Sequence, residues 1–478
     1  MHTIKHLIEK ITHVPLAAKA SFSYIVCNIV QKSLSFITLP IFTRMLTVDQ
    51  YGQCVLYASW STLLTIFLTF NIGHGSFSRA MVKFEDDRDG YVSACQYLCI
   101  FLSAIFLIIF CILKGFICSI FDLPPFIIVI MVFEILGQSF IMLWSEKNKF
   151  EYKYKKVVVL TLIMSICSPT LAFVLIKNFT EKGFARIIGY AVPSIIIGIV
   201  LYVSNLFKSK KKWTKKYWDF IIGFNTPLMI YYLSQMIFNH SDKIIISKLL
   251  GNTEAALYGL AFTISMILTF ILNAINGAYL PWMYRTIQNK EYKNNKRISL
   301  DIAILLALML LCVIWFAPEI VLLFGGENYI RSIYCVPALT MSFMLIYYSR
   351  LIINTEFYFE DKKSIIISSL IPAIINIILN YIFIPMFGFV AASYTTLFSY
   401  IVFVLLNYLG YRKLYLIDNN IRELFDFPLL IVVAVLFFII GFIGVFLYDL
   451  LVVRIVITLI VFVIFVIFLK KRLSLYSI

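Results

Sequence analysis

The sequence predicts an all-α integral membrane protein of about 14 transmembrane helices, built as two six-helix lobes in parallel pseudo-repeat with two C-terminal helices appended. Three observations carry that expectation. The 478 residues are 61% apolar and 14% charged, whereas a soluble domain is about half apolar and a quarter charged. The apolar residues fall in long continuous runs instead of alternating, which excludes an outer-membrane barrel. A stretch near residue 40 is echoed about 207 residues later. The expected organisation is a first lobe over 1–213, a second over 214–415 and two extra spans over 416–478.

A helical span needs about 20 apolar residues. Fourteen runs qualify, at 16–43, 53–78, 91–113, 116–144, 157–176, 184–207, 219–250, 255–283, 299–324, 332–356, 364–384, 387–410, 427–448 and 451–469. The hairpins at Lys114–Ser119 and Tyr448–Leu451 are short, so twelve spans plus an amphipathic excursion is the competing count. Ala18-Lys19-Ala20 precedes the first apolar run and so cannot serve as a signal cleavage site; the first helix is expected to stay. The nine cysteines lie in or beside apolar runs with no CxxC pair and read as small hydrophobes.

The net charge of +16 does not imply nucleic acid, because the basic residues gather in short loops between apolar runs. With the N-terminus and every loop after an even-numbered span on one side, that side holds 31 Lys and Arg and the other nine. The positive-inside rule then puts both termini in the cytoplasm. The outward loops are very short, so any chemistry is expected inside the bundle.

The first copy of the echoed stretch runs Leu39-Pro40-Ile41-Phe42-Thr43-Arg44-Met45-Leu46-Thr47-Val48-Asp49-Gln50-Tyr51-Gly52. Pro40 is expected to kink its helix. Arg44 sits at a helix end, where a cation suits the carbonyls. Tyr51-Gly52 is expected to turn the chain into the next helix. The second copy runs from Asp242-Lys243 through Leu250-Gly251 to Leu257-Tyr258-Gly259. Gly52 precedes Arg79 by 27 residues, and Gly259 precedes Arg285 by 26. Six spans separate the copies, so both run the same way through the membrane, as in transporters whose two lobes face a central cleft.

Ionisable groups inside a span are costly and mark pathways or pair with each other. Lys32, Glu134, Asp242, Lys243 and Arg350 are the candidates. Two readings of each stay open. Lys32 is either a cation facing the cleft or an ion-pair partner, with Glu134 the nearest choice. Glu134, the deepest acid in this reading, suits ion coupling. Asp242 and Lys243 either serve the pathway or neutralise each other at the interface. Pro227, Pro281, Pro318, Pro337 and Pro372 are expected to kink their helices. Glu85-Asp86-Asp87-Arg88-Asp89 contains a literal Asp-x-Asp, but it falls in a short charged loop and reads as solvated. The sequence has no Walker A loop, HExxH or GxSxG, so neither ATP-driven transport nor catalysis has support, and no cofactor is implied.

The Leu-Pro-Ile-Phe-Thr-Arg-Met-Leu…Tyr-Gly run at 39–52 resembles the signature of bacterial polysaccharide and O-antigen flippases, as does Asp242-Lys243…Leu250-Gly251…Leu257-Tyr258-Gly259 with Pro281 following. Pro385-Met386-Phe387-Gly388-Phe389-Val390-Ala391-Ala392 is similar to the family's Gly-x-x-Gly-Ala-Ala turn, with Val390 and Ala391 where a second glycine is often found. The likeness covers roughly residues 15–410 and points to the multidrug, oligosaccharidyl-lipid and polysaccharide exporter superfamily. It implies a bacterial inner-membrane protein that moves polyprenyl-diphosphate-linked oligosaccharide from the inner to the outer leaflet, for O-antigen, capsule or exopolysaccharide. It also implies membrane lipids, a glycan polymerase and glycosyltransferases as partners. Lys32, Arg44, Lys243 and Arg350 would then attract the anionic headgroup, and Glu134 and Asp242 would couple an ion. A lipid II flippase, a multidrug exporter and, least favoured, a glycan polymerase or transferase are the alternatives; the polymerase lacks the large outward loop it would need.

Overall fold

Backbone that crosses a medium without water must satisfy its own polar groups, and a continuous apolar run does so as a helix. The computed structural model describes residues 16–74, 76–209 and 214–473, and every regular element among them is helical. The chain divides into two compact units, Met1–His240 and Ser241–Ile478. The first contains α1 (Leu16–Met45), α2 (Val48–Thr69), α3 (Phe77–Lys83), α4 (Arg88–Ile112), α5 (Lys114–Phe121), α6 (Pro125–Phe150), α7 (Tyr154–Asn178), α8 (Lys182–Lys208) and most of α9 (Lys215–Leu250), which crosses the division. The second continues with α10 (Asn252–Met266), α11 (Leu268–Gln288), α12 (Tyr292–Trp315), α13 (Ala317–Phe324), α14 (Val336–Tyr358), α15 (Lys362–Phe387), α16 (Val390–Lys413), α17 (Phe427–Val445) and α18 (Leu451–Leu473).

Among the described residues eleven helical segments are long and apolar enough to cross a membrane, and α9 makes twelve. It bends by 55° between Thr226 and Met229, where the sequence has Pro227. α18 is helical across the last expected span, whereas the expected span at 53–78 is helical only to Thr69, where Phe70 turns left-handed at φ 49° and Phe77–Lys83 forms a separate short helix. Two further expected boundaries move. The run at 116–144 is split: Lys114–Phe121 is its own short helix, Asp122 adopts a left-handed conformation at φ 53°, and α6 starts at Pro125. The run at 299–324 ends at Trp315, and Ala317–Phe324 forms α13. Pro318 and Pro337 stand in the first turn of α13 and α14, where a missing N–H costs nothing, so they start helices instead of kinking them. Helix α1 runs unbroken through Pro40.

The turn after Arg44 is Leu46-Thr47, not Tyr51-Gly52. Thr47 caps α2 in a reciprocal box with Gln50, each accepting a backbone N–H of the other at 3.2 Å. Tyr51 and Gly52 are buried inside α2. In the second copy Gly251, at φ 95°, breaks the helix, and Tyr258-Gly259 is buried inside α10. The shared Tyr-Gly therefore marks a packed helix face.

The two units repeat one packing scheme, each within itself. In the first, α8 lies along α6 and α7; in the second, α16 lies along α14 and α15. Small residues set the closest approach. A Cβ on Gly198 would land on the backbone of Gly137, and one on Gly137 would land on the Ser194 carbonyl, so α6 and α8 meet backbone to backbone. Outward faces stay apolar: Val159, Ile163, Ile166 and Val174 of α7 are all exposed. Such stripes suit lipid and would aggregate in water. The chain is an all-α, multi-pass membrane protein.

Candidate functional site

The second unit buries its acid completely. Asp242 lies on α9 with 0% exposure, and its carboxylate is ringed by neutral donors from three other helices. Tyr258 of α10 donates its hydroxyl at 2.5 Å, Asn380 of α15 its Nδ2 at 2.6 Å, and Thr396 of α16 its Oγ1 at 2.7 Å. A second ring supports the first. Thr395 donates to Asn380 Oδ1, Asn376 Nδ2 donates to Thr396 at 3.2 Å, and Asn380 Nδ2 also reaches Asn376 Oδ1 at 3.1 Å. Three donors on one carboxylate offset the cost of burying its charge, and the interior strengthens each bond. Four helices are thus locked together by one charge, so protonating it or exchanging a donor for a small cation would change how they pack.

The sequence leaves open whether Asp242 and Lys243 neutralise each other at the interface. The structure sends them different ways. Lys243, 5% exposed, places its ammonium 3.3 Å from the ring centroid of Phe262, and no ion pair joins it to Asp242 among the described residues. Adjacent residues on a helix point about 100° apart, which accounts for the divergence.

The first unit has its own buried acid. Glu134 of α6, 6% exposed, accepts from Tyr57 of α2 and from Gln138 Nε2 at 2.9 Å. Its partners are neutral, so it is not the counter-ion of Lys32. Lys32 is exposed midway along α1, and Arg44 is exposed in the last turn of the same helix. Arg350 of α14 is half-buried and donates to Asn273 Oδ1 of α11 at 2.8 Å; one turn on, Asn354 donates to Asn276 at 2.7 Å. Lys32 and Arg44 thus share one helix of the first unit, while Arg350, Lys243 and Asp242 belong to the second.

Sequence reasoning missed several groups. Arg186 of α8 entered only as one charge in a tally. Its guanidinium sits among Phe42, Tyr51 and Tyr190 at 5.0, 5.4 and 5.6 Å, with no carboxylate in ion-pair range among the described residues. The buried Tyr51 of the first repeat copy faces this cation, as Tyr258 of the second faces Asp242. Glu356, near the end of α14, is as buried as Asp242, and neither of its oxygens has a hydrogen-bond partner; Glu134 is therefore not the deepest acid. The amides Asn376 and Asn380 carried a usable signal: an i,i+4 pair on one face of an apolar run.

The literal Asp-x-Asp is structural, not simply solvated. Asp87 caps α4 through the Gly90 N–H at 3.0 Å and accepts from Tyr217 at 2.8 Å. Asp89 pairs with Lys147, and Glu85 with Arg88 at 2.9 Å.

Two helical units, each burying an acid among neutral donors, define a polytopic all-α membrane protein. The chain belongs to the polysaccharide biosynthesis protein family, whose model matches residues 17–287. A protein of the Lsg locus of Haemophilus influenzae, its protein 1, is 20% identical over 75% of this chain and 89% of its own length. A second, uncharacterized membrane protein of the same organism is 21% identical over 75% and 88%. The fold is similar to that of the lipid II flippase MurJ in an inward closed conformation, with TM-score 0.68, 14% identity, and coverage of 94% of this chain and 99% of that one. It is also similar to a transporter of the MOP superfamily from Pyrococcus furiosus, with TM-score 0.57, 12% identity, and coverage of 83% and 95%. The multidrug, oligosaccharidyl-lipid and polysaccharide exporter likeness read from the motifs is thereby upheld.

Proposed function

We propose that this protein is a flippase that carries polyprenyl-diphosphate-linked oligosaccharide repeat units from the inner to the outer leaflet of a bacterial inner membrane, by alternating access. The observation that carries the reading is the match to the polysaccharide biosynthesis protein family over residues 17–287. The chemistry agrees. The cargo has an apolar tail that can stay in lipid and an anionic head that cannot. Lys32, Arg44 and Arg350, joined by Arg186, supply cations for that head, with Lys243 becoming available if the Asp242 network opens. An open apolar groove of about 620 Å³ on the second unit, lined by Phe383, Phe387, Tyr394 and Phe398, suits a prenyl chain. Thr395 belongs both to that groove and to the Asp242 network, so tail and acid are two bonds apart. Asp242 and Glu134 are the coupling groups, taking a proton or a small cation during the cycle. Both termini are cytoplasmic in this scheme, and the polymerase and glycosyltransferases of the same pathway are its partners.

A lipid II cargo is the second reading, favoured by the MurJ likeness, which takes in 94% of the chain against 83% for the multidrug transporters. Depletion of the protein separates the two. Loss of surface glycan with intact cell-wall synthesis supports the oligosaccharide; lysis with intact surface glycan supports lipid II. Unchanged surface glycan and unchanged cell wall would refute both.

A further inference from the structure

A cavity in the first unit, whose lining does not include Glu134, has the chemistry of an anion site. It holds about 240 Å³ and lies where α4, α6, α7 and α8 come together, beside the loop at 151–153. Four lysines line it: Lys147, Lys153, Lys156 and Lys208. Its two acids are already committed. Asp89 pairs with Lys147, while Glu151 pairs with Lys153 and lies 3.8 Å from Lys147. Lys156 and Lys208 have no acidic partner among the described residues, so the rim carries two uncompensated positive charges.

The wall is polar as well. Asn205 of α8, 7% exposed, donates to Ser93 at 2.8 Å and to Gln96 Oε1 at 3.1 Å. That fixes the amide of Gln96, which is 1% exposed and lines the cavity. Basic pockets between transmembrane helices are places where phosphate-bearing headgroups dock.

We propose that this cavity binds a phosphate group, with Lys156 and Lys208 balancing its charge and the amide of Gln96 in the wall beside it. The group is either the headgroup of an anionic lipid or a free phosphate or diphosphate. The site stands apart from the flipping reading, since a chain with any cargo could carry it.

The test uses the full chain in nanodiscs and follows thermal unfolding. Phosphatidylglycerol discs are compared with phosphatidylcholine discs, and pyrophosphate with chloride at matched ionic strength in the neutral discs. Two variants accompany the wild type. Gln96→Glu keeps an acceptor for Asn205 but replaces the amide with a negative charge; Lys156→Gln/Lys208→Gln removes two exposed, unpaired cations. The expected result is stabilisation by phosphatidylglycerol, by pyrophosphate or by both, with the half-saturating concentration of pyrophosphate or mole fraction of phosphatidylglycerol raised roughly tenfold or more in each variant. Response to the discs alone identifies a lipid headgroup, and response to pyrophosphate in neutral discs identifies a free anion. No response to either probe, or a response unchanged in both variants, overturns the site.

Discussion

Replacing Asp242 by alanine tests the network on which the second unit is built. The carboxylate accepts from Tyr258, Asn380 and Thr396, all at 2.7 Å or less. Asn380 retains Asn376 Oδ1 at 3.1 Å, so its amide is only partly deprived. The two hydroxyls lose their acceptor, and both residues are buried. At about 1–3 kcal/mol for each orphaned buried donor, Asp242→Ala should cost about 2–6 kcal/mol. Asp242→Asn keeps one acceptor oxygen and should cost about 1–3 kcal/mol. Adding Tyr258→Phe to Asp242→Ala removes one of the orphans and should return about 1 kcal/mol or more. Denaturant or thermal unfolding of the purified protein measures all three. An Asp242→Ala protein within about 0.5 kcal/mol of wild type, the range of an ordinary surface change, would refute the account of this network. The asparagine variant also separates fold from coupling: it should remain folded yet lose the response of transport to an imposed ion gradient.

Other outcomes follow from the same geometry. Lys32→Ala and Arg350→Ala should each lower export of surface glycan at normal protein abundance; wild-type export from both would remove them from the cargo path. Gly198→Val puts a branched side chain onto the backbone of Gly137, and the clash should cost about 1–3 kcal/mol or more, visible as lost thermal stability with lost export. Asp418, outside the spans, is held below the usual carboxylate range chiefly by the Tyr292 hydroxyl at 2.7 Å and then by the Asn420 N–H. Its contribution is present above the ordinary aspartate pKa and is lost as pH falls through the lowered value. Protection of 414–424 from hydrogen exchange, taken relative to the intrinsic rate at each pH, should therefore fall in acid, and Asp418→Asn should flatten that dependence.

The spans were legible because a long apolar run has one solution in lipid, and Arg44 was placed correctly because the helix had to end before the Thr47 cap. Less could be read where one residue type supports two structures. Proline in an apolar run reads the same whether it kinks a helix, as the sequence reading assumed for Pro318, or opens one, as Pro318 does. Tyr51-Gly52 looked like a turn because glycine often makes one, yet that glycine is buried inside a helix. Asp242 stood out as a charge in a span, but its partners Asn380 and Thr396 lie 138 and 154 residues away and are neutral, so neither charge nor periodicity pointed to them. Arg186 was invisible for another reason: its surroundings are aromatic, and aromatic residues are everywhere in this chain.

The central claim is transbilayer movement of a diphosphate-linked glycan. Its most direct test is the purified protein in liposomes loaded with a fluorescent polyprenyl-diphosphate oligosaccharide, with a membrane-impermeant lectin or glycosidase added outside to report the fraction that has reached the outer leaflet. The account predicts faster and more complete exposure with wild-type protein than in empty liposomes, and little gain with the combined Lys32→Ala/Arg350→Ala variant. Exposure at the protein-free rate with folded wild-type protein would contradict it.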